Sequence, residues 1–318
     1  MARFPISIEL VQQLVANQFP QWTQLPITPA SPQGWDNQTF RLGDDLSVRL
    51  PSDIGYEPQI NKETKWLPYL ADWLPAKIPE QVALGRPGCG YPYNWSVRRW
   101  VPGRVLAGFE PGQCVGVAAD LGRFLRRLRE VPTAGAPVAG EKTAFRGCPF
   151  EVYADDAVAA LAKLDLADQS HLSVIARAVQ SEWAESPVWF HGDVAPNNIL
   201  VSNAEHRAEA KADQPTLDDG EYHTTAARPA NQPRLAAVLD FGCAGVGDPA
   251  CDLVIAYTHF VGAERQAFAD AMKLDADTWD RARGWALWKA AITLANSDGA
   301  ATGVREAART FAALAQPE

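Results

Sequence analysis

The chain has 318 residues, 47% of them apolar, a formal net charge of −9 and an isoelectric point near 5.1. That length and apolar content belong to a globular chain that buries a sizeable core, either two modest domains or one large two-lobed body. The acidic balance argues against nucleic acid or an anionic membrane as partner, since both require a basic surface, and it favours a cationic small molecule. Five cysteines, at 89, 114, 148, 243 and 251, include no Cys-x-x-Cys pair, so neither a zinc site nor a disulfide framework is expected. The first residues lack an apolar signal region and no 18 apolar residues run together, which leads to an expected cytoplasmic location.

Leu10, Val11, Leu14 and Val15 recur at helical spacing and predict an amphipathic helix over 7–18, with Ser7 as N-cap. Residues 29–51 read as strand, turn, strand: Thr39 to Leu42 and Leu46 to Leu50 flank the hairpin signal Gly43-Asp44-Asp45. Residues 57–70 follow as a helix interrupted at Pro68. Strands over 81–84 and 94–101, joined by a Gly- and Pro-rich turn, complete a small antiparallel sheet, and the chain breaks at Pro102-Gly103. Beyond it, Cys114, Val117, Ala118, Leu121, Phe124, Leu125 and Leu128 mark a helix. Its Arg123, Arg126, Arg127 and Arg129 fall largely off the apolar stripe and read as a solvated face. Residues 132–149 are a loop, and two helices follow at about 151–164 and 169–185.

The stretch from Val188 to Leu253 carries the chemistry. Short apolar runs at 188–190, 199–201 and 236–239 predict buried strands, and each stops at polar groups: His191-Gly-Asp193, four residues and then Asn198, Asp240-Phe-Gly, and Gly247-Asp248-Pro-x-x-Asp252-Leu. Catalytic groups usually sit where a rigid strand gives way to a loop. A carboxylate beside hard oxygen donors is what Mg-assisted phosphoryl transfer needs, because Mg²⁺ takes oxygen ligands and keeps phosphate oxygens in its octahedron.

These four linked signatures resemble the aminoglycoside phosphotransferase family of small-molecule kinases, whose fold is similar to that of protein kinases. The resemblance implies an α+β, bilobal, protein-kinase-like fold, with a small N-terminal antiparallel sheet lobe over 1–101 and a larger, mainly helical C-terminal lobe over 102–318. It implies an ATP- and Mg²⁺-dependent transfer of the γ-phosphoryl to a hydroxyl of a small molecule, an aminoglycoside-like antibiotic or another hydroxylated metabolite. By position, Asp193 is the catalytic aspartate, His191 organises its loop, Asn198 and Asp240 are metal ligands, and Asp248 and Asp252 brace the loop. Arg49 stands at the strand position where the family has a phosphate-binding lysine, with Glu63 as its helix partner. An arginine keeps the charge, but its planar fork makes the exchange non-conservative. Arg99, Trp100 and Val101 fall at the hinge that reads the adenine edge, with Trp100 either stacked on the base or packed in the core. The turn from Gly34 to Asn37 sits where the family has its nucleotide-covering loop, and Arg146-Gly147 is placed toward the active site.

Residues 202–234 are polar, with three prolines, and read as a flexible insertion between two core strands. Only Cys243 to Gly247 separate Asp240-Phe-Gly from Asp248, too few for the activation segment of a protein kinase, so a protein substrate is disfavoured. The rest is helical, over 252–260, 263–273, 277–296 and 304–315. Asp275, Asp277, Asp280 and Asp298 are candidates to meet an amine-bearing acceptor. Arg49 leaves one alternative reading, a nucleotide-binding pseudokinase without turnover.

Overall fold

The computed structural model of the chain describes residues 3–31, 33–34, 36–202, 232–296 and 301–315. They group into two compact units: residues up to Asp72 with Lys77–Pro102 and Leu239–Gly242, and Trp73–Ala76 with Gly103–Val238 and Cys243 onward. Leu239–Gly242 lies within the 102–318 stretch assigned above to the C-terminal lobe, yet it belongs to the first unit, where Arg49 holds Asp240. The insertion expected at 202–234 lies mostly outside the described residues, as do Trp35 and Asp298.

The first unit opens with α1 (Ile8–Gln18), capped by Ser7, whose Oγ accepts from the Leu10 N–H at 3.2 Å. It continues through β1 (Ile27–Pro29), β2 (Asn37–Leu42), β3 (Leu46–Pro51), α2 (Glu57–Ala71), β4 (Gln81–Gly85) and β5 (Trp95–Arg99). The five strands form one antiparallel sheet in the order β1-β2-β3-β5-β4. Val11, Leu14, Phe40, Leu42, Val48, Leu50, Trp95 and Val97 make its core. β1 is an edge strand that the pattern did not announce; its Pro29 is tolerated there because an edge leaves one side without ladder bonds. The helix α2 runs on through Pro68 rather than breaking. Pro68 falls in the last turn, where buried Leu67 and Leu70 hold the backbone by packing even though one helical N–H is missing. Every residue of β3 is buried, so alternation fails there and Arg49 is enclosed rather than solvated.

The second unit runs through β6 (Arg104–Val105), α3 (Val115–Glu130), α4 (Ala154–Lys163), α5 (Gln169–Gln180), β7 (Val188–Phe190), β8 (Ile199–Ser202), β9 (Arg234–Val238), β10 (Gly245–Gly247), α6 (Ile255–Thr258), α7 (Ala263–Met272), α8 (Ala276–Ala295) and α9 (Ala301–Leu314). β6, β8 and β9 form one small sheet, and β7 pairs with β10. The helix α3 packs on α7, while α4, α5 and α9 pack on α8. The basic face of α3 is not wholly solvated: Arg129 donates to the Met272 carbonyl at 2.6 Å and Arg127 to the Trp73 carbonyl at 3.2 Å. Among the described residues, no helix is long and apolar enough to cross a membrane.

Candidate active site

In the second unit β7 and β10 run antiparallel with Phe190 opposite Gly245, which brings the loop after Phe190 beside Cys243, just ahead of β10. His191 is fully buried. Its N–H donates to Asp252 Oδ2 at 2.8 Å, and the next N–H, of Gly192, donates to Asp252 Oδ1 at 2.7 Å. Burial raises the Asp252 pKa, against the opposing pull of His191 and these two N–H groups. The Asp193 N–H donates to His191 Nδ1 at 3.2 Å. The loop is thus tied from within and below before Asp193 is reached. Asp248 does something else: it caps Ala250 and accepts from Arg281 Nε at 2.7 Å, in a pair buried on both sides that pins α8.

Gly192 has φ +85°, and a Cβ there would lie 2.7 Å from the Cys243 carbonyl oxygen. Gly192→Ala is therefore expected to cost about 1–3 kcal/mol through strain at this backbone and to lower turnover by displacing Asp193. Denaturant unfolding and steady-state kinetics check both, and an unchanged midpoint would show that the loop yields freely.

Asp193 is half-exposed. Asn198, in the short turn before β8, donates from Nδ2 to the Asp193 carbonyl and to Asp193 Oδ2, both at 3.0 Å. Lys289 of α8 stands 3.6 Å from the other oxygen, Oδ1. The carboxylate is therefore aimed, with one oxygen held and one facing a cavity lined by Asp193, Arg146, Cys251, Trp285, Trp288 and Lys289. Its empty volume is about 280 Å³, part of it open to solvent. Arg146 is placed by its neighbour: Gly147, at φ +77°, passes so close to the Phe190 ring that no side chain fits, and its carbonyl accepts from the Asp248 N–H at 2.9 Å. Lys289 was not anticipated. The signal existed, since Arg281, Trp285, Trp288 and Lys289 stand at i, i+4, i+7 and i+8 on one face of α8. Asp275, Asp277 and Asp280 do not line this cavity. Asp275 caps α8 through the Thr278 N–H, and Asp280 pairs with Arg283 and Arg177.

The first unit carries a second polar cluster. Arg49 Nη2 meets Asp240 Oδ1 at 2.6 Å, whereas its expected partner Glu63 lies 3.7 Å away. The close partner of Glu63 is Arg98, at 2.7 Å from Oε2. Arg98 escaped the sequence reading because β5 looked like an ordinary strand; it shares the inward face of the sheet with Ser96 and donates to it at 3.0 Å. Glu63, Arg49 and Arg98 are all buried, and Glu63 Oε1 has no hydrogen-bond partner. Burial works against the charge on Arg49, but Asp240 and Glu63 overcome it and raise its pKa. Burial lowers that of Arg98, with Glu63 opposing. The Asn37 amide, turned with its oxygen toward Arg49, accepts from Nε at 3.3 Å and Nη2 at 2.9 Å. Asp240 itself has φ +64°, an unusual backbone for a non-glycine residue and common at functional positions.

At the expected hinge, the Arg99 N–H donates to the Glu80 carbonyl at 2.9 Å and the Trp100 N–H to the Asp45 carbonyl at 2.7 Å. Neither amide is left for a base edge, which leaves Val101 of the three. The Arg99 side chain reaches toward Glu80 at 3.7 Å. Trp100 is partly exposed, with the Arg41 guanidinium 4.2 Å above its ring, so it is not a core tryptophan.

The donors that the resemblance assigns to Mg²⁺ are chemically suited to it. Both bonds that Asn198 makes to Asp193 use its nitrogen, leaving Oδ1 as a hard oxygen without a described partner. The Asp240 side chain is 34% exposed and carboxylate oxygen is the preferred ligand type. Among the described residues no three His, Cys, Asp or Glu side chains cluster to hold a metal, so few protein ligands are on offer.

The chain matches the APH family, the phosphotransferase enzyme family, over residues 27–209 and 228–285. No curated protein matches it. Among solved structures it is similar to the GDP complex of wild-type aminoglycoside 2'-phosphotransferase-IIIa, at 19% identity and a TM-score of 0.64, covering 96% of each chain. It is also similar to the streptomycin–ATP ternary complex of APH(2")-IIa (15%, TM-score 0.55, 97% of each chain). A third is macrolide 2'-phosphotransferase type I (16%, TM-score 0.59, 99% of this chain and 100% of that one). These likenesses show the fold, the bilobal α+β arrangement of the kinase-like phosphotransferases. The family match covers more than half of the chain, and the chain belongs to the phosphotransferase enzyme family.

Proposed function

We propose that this phosphotransferase moves the γ-phosphoryl of a nucleoside triphosphate, ATP in the first instance, to a hydroxyl of a small molecule. The observation that carries the reading is the carboxylate of Asp193, held through one oxygen by Asn198 at the edge of a cavity partly open to solvent. Asp193 orients the acceptor hydroxyl and takes its proton as the phosphoryl leaves the nucleotide. His191 and Asp252 keep the loop in place through the two backbone N–H bonds. Asn198 Oδ1 and the Asp240 carboxylate are the oxygens offered to Mg²⁺, whose chemistry when bound is to neutralise charge on the phosphate oxygens. The nucleotide side is assigned to residues 1–101, with Arg49 on the α- and β-phosphates, Glu63 beneath it, and, of Arg99 to Val101, the Val101 amide left for the base edge.

Arg49 raises the one specific argument for a pseudokinase, since its guanidinium occupies Asp240 Oδ1 at 2.6 Å and competes with a metal for that oxygen. Arg49→Ala is expected to weaken ATP binding and Arg49→Lys to be tolerated, because a shorter point charge still reaches phosphate while relinquishing the contact between Nη2 and Asp240 Oδ1. Titration calorimetry with Mg·ATP checks this; equal affinity in wild type and Arg49→Ala would remove Arg49 from the nucleotide. The phosphotransferase reading as a whole is tested by ATP consumption over mixed hydroxylated acceptors, with Asp193→Asn as the blank.

A further inference from the structure

The geometry points to an acceptor that carries an anionic group, a carboxylate or a phosphate, rather than the amine-bearing acceptor that the acidic composition suggests. This inference rests on the phosphotransferase reading, because the cavity concerned is the one beside Asp193. Its polar lining is dominated by donors. Lys289 and Arg146 each bring a positive charge against the single carboxylate of Asp193, so the cavity holds an excess positive charge at neutral pH. Asp193 meets Lys289 through Oδ1 at 3.6 Å, and its second oxygen is held by Asn198. Among the described residues no carboxylate lies within ion-pair distance of Arg146. Its guanidinium carbon lies 4.7 Å from the Trp288 ring centre and 5.5 Å from those of Trp285 and Tyr153, and Nη1 donates to the Ala144 carbonyl at 3.3 Å, which leaves Nε and Nη2 for a ligand. Stacking of this kind fixes a guanidinium plane while leaving its edge N–H groups to bind an oxyanion. Among the described residues, the two carboxylates next along the chain from Cys251 are engaged elsewhere, Asp252 on two backbone N–H groups and Asp248 on Arg281. A polyamine would meet two like charges and rings already covered by an arginine. An oxyanion would lie between Lys289 and Arg146, with its hydroxyl-bearing end toward Asp193.

The test holds the carbon skeleton constant and varies the charge. Glucose, gluconate, glucose 6-phosphate and glucosamine are titrated separately into the full-length protein, binding is followed by tryptophan fluorescence, and Mg·ATP turnover is read in parallel. Gluconate, glucose 6-phosphate or both are expected to bind at least tenfold more tightly than glucose and glucosamine; which of the two binds names the oxyanion. Lys289→Glu is expected to abolish that preference and to move the order toward glucosamine, while Lys289→Arg retains it. A wild-type protein that binds glucosamine as well as the anions, that shows no charge preference, or that binds none of the four overturns the inference. So does a preference that survives Lys289→Glu. Turnover separates the two claims: phosphoryl transfer to an amine-bearing acceptor, absent in Asp193→Asn, sinks the anionic acceptor and leaves the phosphotransferase reading standing. Equal ATP turnover in wild type and Asp193→Asn sinks the latter whatever the binding order.

Discussion

Asp193→Asn is expected to lower phosphoryl transfer by roughly 10²- to 10⁴-fold, the usual worth of a positioned proton acceptor, while leaving nucleotide affinity nearly intact. The substitution keeps the volume and the hydrogen bond from the Asp193 N–H to His191, and removes the negative charge that orients the acceptor. It also removes the charge partner of Lys289, so the surroundings lose an ion pair on a half-exposed group and the fold should barely notice. A drop in kcat and kcat/KM together, with unchanged affinity for the nucleotide, is the signature of a group acting only in the transition state. A variant with wild-type kcat would take Asp193 out of that role.

The second large effect is on stability. Glu63→Ala leaves Arg98 buried without its close carboxylate, and Arg49 with Asp240 as its remaining ion-pair partner. Removing one member of a buried ion network costs about 3–5 kcal/mol, because the uncompensated charge stays in the interior. Denaturant unfolding should show a large shift in midpoint at constant slope. A loss below about 1 kcal/mol, the range of exposed pairs, would mean that water reaches the cluster and that Glu63 does not hold the two arginines. Glu63→Gln with Arg98→Met should recover most of the loss, since a buried pair exchanged for neutral groups is often nearly neutral.

What the sequence made legible is the part governed by local pattern. Asp193 and Asn198 sit at the end of β7 and the start of β8 because apolar runs stop there, and the hairpin of β2 and β3 follows from its turn residues. The Ser7 cap and the helical stripe of α3 follow from spacing alone. Features set by long-range partners were not legible. Arg98 reads as an ordinary strand residue until α2 brings Glu63 against it, and β3 is buried on both faces, so alternation around Arg49 misleads. The three residues of β1 carry too little pattern to announce a strand. Lys289 looks like one more helix lysine, and only the turn of α8 set by Asp248 and Arg281 places it beside Asp193. The acidic net charge pointed to a cationic partner because it averages the surface, whereas the cavity beside Asp193 has its own, opposite balance.

Phosphorus NMR of the protein with Mg·ATP and the hydroxylated acceptors, run beside Asp193→Asn, distinguishes transfer from hydrolysis. In the wild type a phosphomonoester resonance should grow in step with ADP for at least one acceptor, with no such resonance in the variant. ADP accompanied only by inorganic phosphate, or the same phosphomonoester at the same rate from Asp193→Asn, would contradict transfer through Asp193.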